Sequence, residues 1–217
     1  MSGPAEVVSI ERDGAAAARA ALDRCVFAGG VAMFPADGLY GLACDPLRAA
    51  AIERIHAIKG RDDGKPSAVM YFSPLAMREL LSGLGERSRE AVAALLPGAL
   101  TLVLANPEER YPLACRDDRS RLGVRLLDGP LAGASCAIFQ TSANPSGDPP
   151  PSRFADVDPA ILGAVDLAID GGELTGEPST VVDLTGLESG GVWTVLREGA
   201  VPADELSERL RSAGLAG

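Results

Sequence analysis

The sequence predicts an α/β fold in one domain, and three observations carry that reading. Short, continuous apolar runs such as Val31-Ala32-Met33-Phe34 and Ala68-Val69-Met70-Tyr71-Phe72 have the pattern of strands buried on both faces. Longer segments between them repeat their apolar residues at helical spacing. The strands empty into Gly-punctuated loops, the usual place for ligands in open α/β sheets. The 217 residues, 47% apolar and 23% charged, can bury a core without disulfides. No low-complexity linker divides them, so 1–217 is read as a single domain.

Val7–Ile10 reads as a strand, and Asp13 is expected to cap a helix from Gly14 to about Ala28. Leu22, Val26 and Phe27 form its apolar side, and Gly29-Gly30 ends it. After the strand Val31–Phe34, Pro35-Ala36-Asp37-Gly38-Leu39-Tyr40-Gly41-Leu42 reads as a loop at a strand's C-terminal end. Pro46 is expected to open a helix that turns Ile52, Ile55, His56 and Ile58 to the core. Gly60 stops it, which leaves Lys59 in the last turn, where a cation also complements a helix C-terminus.

Arg61 to Pro66 is a polar loop, Ala68–Phe72 a strand, and Ser73-Pro74 the start of a helix carrying Leu75, Leu80 and Leu81. A helix from Glu86 to Leu96 and a strand Leu100–Leu104 follow across Pro97-Gly98. Residues 106–120 are irregular; Arg110, Arg116, Arg119 and Arg121 gather there, but Glu108, Glu109, Asp117 and Asp118 offset them. The strand Leu122–Leu127 holds Arg125 inside an apolar run, and a buried arginine calls for an anion, either an internal carboxylate or a ligand. Cys136–Phe139 is a strand that delivers Thr141-Ser142-Ala143-Asn144, and the Pro-rich stretch after Gly147 is irregular. Val165–Ile169 is a further strand, Ser179–Leu184 and Val192–Leu196 pair across a turn, and Pro202 opens a last helix with Leu206 and Leu210.

The net charge of −10 and pI near 4.6 repel nucleic acid from most of the surface, so any nucleic-acid contact is at most local and needs a basic patch. No apolar run reaches the roughly 18 residues of a membrane span. The N-terminus has no signal-peptide pattern. A soluble cytoplasmic protein without membrane contact is expected. Cys25, Cys44, Cys115 and Cys136 are widely spaced and His56 is the sole histidine, so the cysteines read as small buried hydrophobes and no metal ligands are expected. The only lysines are Lys59 and Lys65. Lys59 and Arg61 in one segment, with Ser142 and Asn144 in another, suit a polyphosphate: two cations and two uncharged hydrogen-bonding groups.

With their neighbours, these segments resemble the YrdC/TsaC-type threonylcarbamoyl-AMP synthases, from about Val7 to Leu210. The matches run in order: Phe34-Pro35 before Tyr40-Gly41-Leu42, Ile58-Lys59-Gly60-Arg61, Pro97-Gly98 before Leu100-Thr101, Val124-Arg125, Thr141-Ser142-Ala143-Asn144-Pro145-Ser146-Gly147, Asp170-Gly171-Gly172, Ser179-Thr180-Val181-Val182-Asp183, and Leu196-Arg197-Glu198-Gly199-Ala200. The resemblance implies a twisted, mixed open sheet with flanking helices and a concave face. It implies condensation of L-threonine, bicarbonate and ATP to threonylcarbamoyl-AMP and pyrophosphate, with Mg2+ on the leaving group. A separate tRNA threonylcarbamoyl transferase then uses the product. Lys59, Arg61, Ser142 and Asn144 match the positions that hold the phosphates. Thr101 and Arg197 match further nucleotide positions. Ala36, Tyr40, Arg125 and Ser179 match the substrate side.

The chain departs from the family pattern where Thr-acid-Thr reads Ala36-Asp37-Gly38, and also at Asp62, Ser67 and Ala99. The lost hydroxyls keep open a related adenylate-forming enzyme with another carbamate or amino-acid acceptor. A non-catalytic RNA-binding or ribosome-associated factor is the reading from a different class. The C-terminus soon after the last helix suggests the short form of the family.

Overall fold

A computed structural model describes residues 5–60 and 65–215. Strands β1 (Glu6–Ser9), β2 (Ala32–Pro35), β3 (Tyr40–Cys44), β4 (Ala68–Tyr71), β5 (Leu100–Ala105), β6 (Arg121–Leu126), β7 (Ile138–Ser142), β8 (Leu167–Asp170), β9 (Thr180–Asp183) and β10 (Thr194–Arg197) join in one sheet. Their order is β1-β8-β2-β3-β7-β4-β6-β5-β9-β10. The pairs β1/β8, β8/β2, β4/β6 and β5/β9 are parallel. The other neighbours are antiparallel, so the sheet is mixed, as the resemblance implies. Helices α1 (Ile10–Asp13), α2 (Ala15–Phe27), α3 (Ala49–Ile58), α4 (Arg78–Ser82), α5 (Glu86–Leu95), α6 (Pro112–Cys115), α7 (Pro159–Leu162) and α8 (Ala203–Ser212) flank it.

Strand periodicity builds two cores from the same apolar runs. Met33 enters the larger cluster, and its neighbours Ala32 and Phe34 enter the other. Val69 and Tyr71 likewise separate from Met70. Side chains alternate across a strand, so a run without polar breaks supplies both faces. Cys44, Cys115 and Cys136 are buried free thiols and Cys25 is half-buried, as expected of small hydrophobes.

Several expected boundaries shift. Asp13 ends α1 instead of capping α2: its carboxylate accepts from Ser9 N (2.9 Å) and pairs with Arg12. Phe27 is exposed at the end of α2. The stretch read as one loop from Pro35 contains β3, which pairs back on β2 as a hairpin. Its Gly41 disguised a strand whose every residue is buried. Helix α3 starts at Ala49, not Pro46, because Asp45 Oδ1 accepts from Leu47 N (2.9 Å) and holds a turn there. Leu75 precedes α4 and is exposed. β7 extends through Gln140 to Ser142, so the phosphate-type loop starts inside the sheet.

One polar clasp ties these parts together. Arg54 on α3 bonds Asp166 Oδ2 (2.5 Å), Asp166 Oδ1 (3.0 Å) and Ala164 O (2.6 Å), while Val31 N donates to Asp166 Oδ2 (2.8 Å). Asp166→Ala leaves a guanidinium and a backbone donor without their acceptor, at a cost of about 1–3 kcal/mol. Urea unfolding is expected to show that loss in the midpoint at unchanged slope.

Among the described residues no helix is long and apolar enough to cross a membrane.

Candidate active site

The second half of the sheet has one face on the core and one face open. In β5, Leu100, Leu102 and Leu104 are buried, whereas Thr101 and Val103 turn outward. In β6, Leu122, Val124 and Leu126 pack in the core, and Arg121, Gly123 and Arg125 face the other way. Val181 of β9 and Leu196 of β10 continue that face. It forms the floor of a cavity of about 840 Å³ that is walled by the 36–40 loop, the end of α3, the 142–148 loop and segment 177–179. This volume lies in the range of small-molecule sites.

All the predicted site residues that are described line this cavity: Ala36, Tyr40, Lys59, Thr101, Arg125, Ser142, Asn144, Ser179 and Arg197. Arg61 lies outside the described residues. Residues up to 161 positions apart in sequence, Ala36 and Arg197, thus line one cavity because the strands and loops converge on one face.

Lys59 caps α3, and Gly60 turns the chain away with φ +80°. Complementing its own helix end was the alternative role for Lys59. Instead its side chain leaves the helix, and Nζ donates to Ser142 O (2.6 Å) and Asn144 O (2.8 Å). Ser142 Oγ lies at 3.4 Å and Asn144 Oδ1 at 3.5 Å. Ser146 N returns a bond to Lys59 O (2.9 Å). Asn144 Nδ2 donates to Pro145 O (2.9 Å) and Asp148 O (2.6 Å), which curls the loop around the ammonium.

Across the floor, Thr101 Oγ1 and Ser179 Oγ are 2.9 Å apart. Arg197 donates from one Nη to Ser179 O (2.7 Å) and Ser179 Oγ (3.2 Å). Burial lowers the pKa of the Arg197 guanidinium from its ordinary value.

The internal carboxylate expected for Arg125 is Asp37, from the loop after β2. Arg125 Nη1 also donates to Gln140 Oε1 (3.0 Å). Its Nε is buried with no hydrogen-bond partner among the described residues. Burial raises the Asp37 pKa and lowers that of Arg125, each against the opposing pull of its partner. Asp37 and Gln140 were not singled out from sequence. The available signal for Asp37 was a lone acid between two small residues in a strand-end loop; for Gln140 it was a polar residue at the end of an apolar run.

Tyr40 is fully buried and its hydroxyl is already engaged. It donates to Gly172 O (2.8 Å) and accepts from Gly171 N (3.0 Å), and burial pushes its pKa up to about 12. The Tyr40 match and the Asp170-Gly171-Gly172 match are therefore two sides of one contact. The altered loop has a packing reason at Gly38. A Cβ there would run into Glu177 O and Thr175 Oγ1, and Gly176 N donates to Gly38 O (2.9 Å). A threonine at 38 has no room beneath this strap. Ala36, 9% exposed, puts only a methyl group at the cavity wall.

Fold and cavity together define a mixed-sheet α/β protein with an open-faced pocket that pairs buried cations with hydroxyl and amide groups. The family model for Sua5, YciO and YrdC proteins, described as "Telomere recombination", matches residues 24–199. The chain belongs to this family, the one its motifs resemble. It is 34% identical over 160 residues to the threonylcarbamoyl-AMP synthase of Xanthomonas euvesicatoria pv. vesicatoria, a match covering 69% of this chain and 85% of the other. Among solved structures, P. abyssi Sua5 complexed with L-threonine aligns with a TM-score of 0.79 at 28% identity, covering 96% of this chain and 61% of that one. The present chain thus spans about three fifths of that protein. E. coli YciO aligns with a TM-score of 0.77 at 25% identity over 95% of this chain and all of the other.

Proposed function

We propose that the protein is an L-threonylcarbamoyladenylate synthase, acting on L-threonine, bicarbonate and ATP and releasing pyrophosphate. The observation that carries this reading is the convergence of Lys59, Ser142 and Asn144 in one pocket with Thr101, Ser179 and Arg197. A relative at 34% identity bears that activity's name, and a structural neighbour holds L-threonine. In this reading Lys59, Arg61, Ser142 and Asn144 bind the phosphates, and Thr101 and Arg197 complete the nucleotide side. Arg125 and Ser179, with Ala36 and Tyr40, belong to the amino-acid side.

The chemistry suits these residue types. The carbamate oxygen attacks the α-phosphorus, and charge builds on phosphate oxygens. Fixed cations and donors in a water-poor site stabilise that charge. No protein nucleophile is needed. Among the described residues no cluster of three or more His, Cys, Asp or Glu side chains could hold a metal. In this reading magnesium enters with the triphosphate and would neutralise the pyrophosphate leaving group. A cytoplasmic setting and a downstream tRNA transferase belong to the same proposal.

The test is pyrophosphate release from ATP, magnesium and bicarbonate, with and without L-threonine. Threonine-dependent release supports the reading; release indifferent to threonine argues for another acceptor, which Ala36 in place of a hydroxyl residue makes the second reading. A Ser179→Ala variant removes the hydroxyl that both Thr101 Oγ1 and Arg197 contact. The expected result is a KM for ATP raised about ten-fold, the size of one net hydrogen bond.

A further inference from the structure

The ion pair between Asp37 and Arg125 is set into the cavity wall, with both side chains largely buried. It is under-satisfied on the arginine side, where Nε has no partner among the described residues. Such a pair is a poor stabiliser but a good receptor for a zwitterion, since a buried charge pair recovers its desolvation cost only with full hydrogen bonding. An α-amino acid carries its carboxylate and ammonium two bonds apart, on the scale of a hydrogen-bonded guanidinium and carboxylate. Laid against the wall, its carboxylate meets Arg125 and its ammonium meets Asp37.

We propose that Asp37 is the general base that deprotonates the α-ammonium of the substrate amino acid, so that the free amine attacks carbon dioxide derived from bicarbonate. This rests on the synthase reading above. The amine of an amino acid is almost wholly protonated at neutral pH and has no lone pair to give. Asp37 takes one N–H proton; the nitrogen lone pair forms the N–C bond as one C=O π pair moves onto oxygen. That carbon dioxide is freed when the hydroxyl of bicarbonate leaves as water with the proton that Asp37 passes on, and after the N–C bond forms the second amine proton passes to solvent. Ammonium and bicarbonate thus give carbamate, water and one proton, and Asp37 ends as it began.

The surroundings favour that role. Burial raises Asp37, the charge of Asp128 raises it further, and Arg125 opposes both. Arg197 in turn acts on Arg125 and disfavours its charge. A substrate carboxylate that takes over Arg125 removes the opposing influence and leaves Asp37 more basic next to the ammonium.

The experiment compares wild type, Asp37→Asn and Asp37→Glu in threonine-dependent pyrophosphate release between about pH 7 and 9.5, with ATP affinity measured by calorimetry as a check on folding. In the Asn variant kcat/KM for threonine is expected to fall about 100-fold at pH 7, the lower range for loss of a general base. The deficit should shrink about ten-fold per pH unit as solution deprotonates the amine, while ATP affinity holds. The Glu variant should keep the wild-type pH profile at reduced rate. An Asn profile parallel to wild type would overturn the proposal and leave Asp37 as a positioning residue for Arg125. Wild type without threonine-dependent release at any pH would overturn the synthase reading, and this inference with it.

Discussion

Lys59→Ala is expected to lower pyrophosphate release at least 100-fold. Two effects add. Lys59 is 8% exposed and lines the cavity, where a fixed charge acts in a poorly hydrated setting. Its loss also leaves Ser142 O and Asn144 O, at 2.6 and 2.8 Å, without their donor. An ammonium has only three N–H groups, so holding the 142–144 loop and meeting a phosphate compete, and ligand entry should lengthen one of these bonds. Lys59→Met keeps the stem without the ammonium as a control for packing, and turnover read beside melting temperature separates the effects. If the charge dominates, Met and Ala variants fall together in turnover while melting temperatures stay close to wild type. If the clamp dominates, both melt early. Turnover within a few-fold of wild type would show that Lys59 serves the loop alone.

The sequence was most legible where a physical pattern has one solution. Val31–Phe34 and Ala68–Phe72, buried on both faces, could only be central strands, and both are. The final helix with Leu206 and Leu210 is equally direct. It was least legible where a local signal competed with tertiary context. Gly41 and the Pro35–Gly38 stretch look like loop, yet Tyr40–Cys44 is strand because β2 and β7 enclose it on both sides. The site divided in the same way. Lys59, Ser142 and Asn144 were readable as residue types suited to phosphate, and the fold brings them within bonding distance. Asp37 was not readable, because its meaning depends on Arg125, 88 positions away and joined to it only through the sheet.

The segment that carries Ser179 yields the largest expected structural effect. At Gly199 a Cβ would stand 2.5 Å from Ser179 C and 2.6 Å from Thr180 N, with Pro178 O closer still. All three are backbone atoms, and they cannot retreat. Thr180 is paired with Leu100 in the ladder between β9 and β5, and Thr180 Oγ1 donates to Val201 O (2.7 Å) and accepts from Val201 N (3.0 Å). Gly199→Ala must therefore push apart the strand that holds Ser179 and the segment that holds Arg197. The cost of such overpacking is about 3 kcal/mol, or a melting temperature lower by about 6–12 °C for a chain of this size. Gly98→Ala, where nothing stands nearer than 3.4 Å, is the control expected to change little. Because the Thr101–Ser179–Arg197 contacts cross the same junction, Gly199→Ala should also weaken ATP binding at temperatures where it remains folded. A variant that melts early yet binds ATP normally would separate the packing role of Gly199 from the pocket. A variant that melts with wild type would mean that the close approach of the two segments relaxes freely in solution.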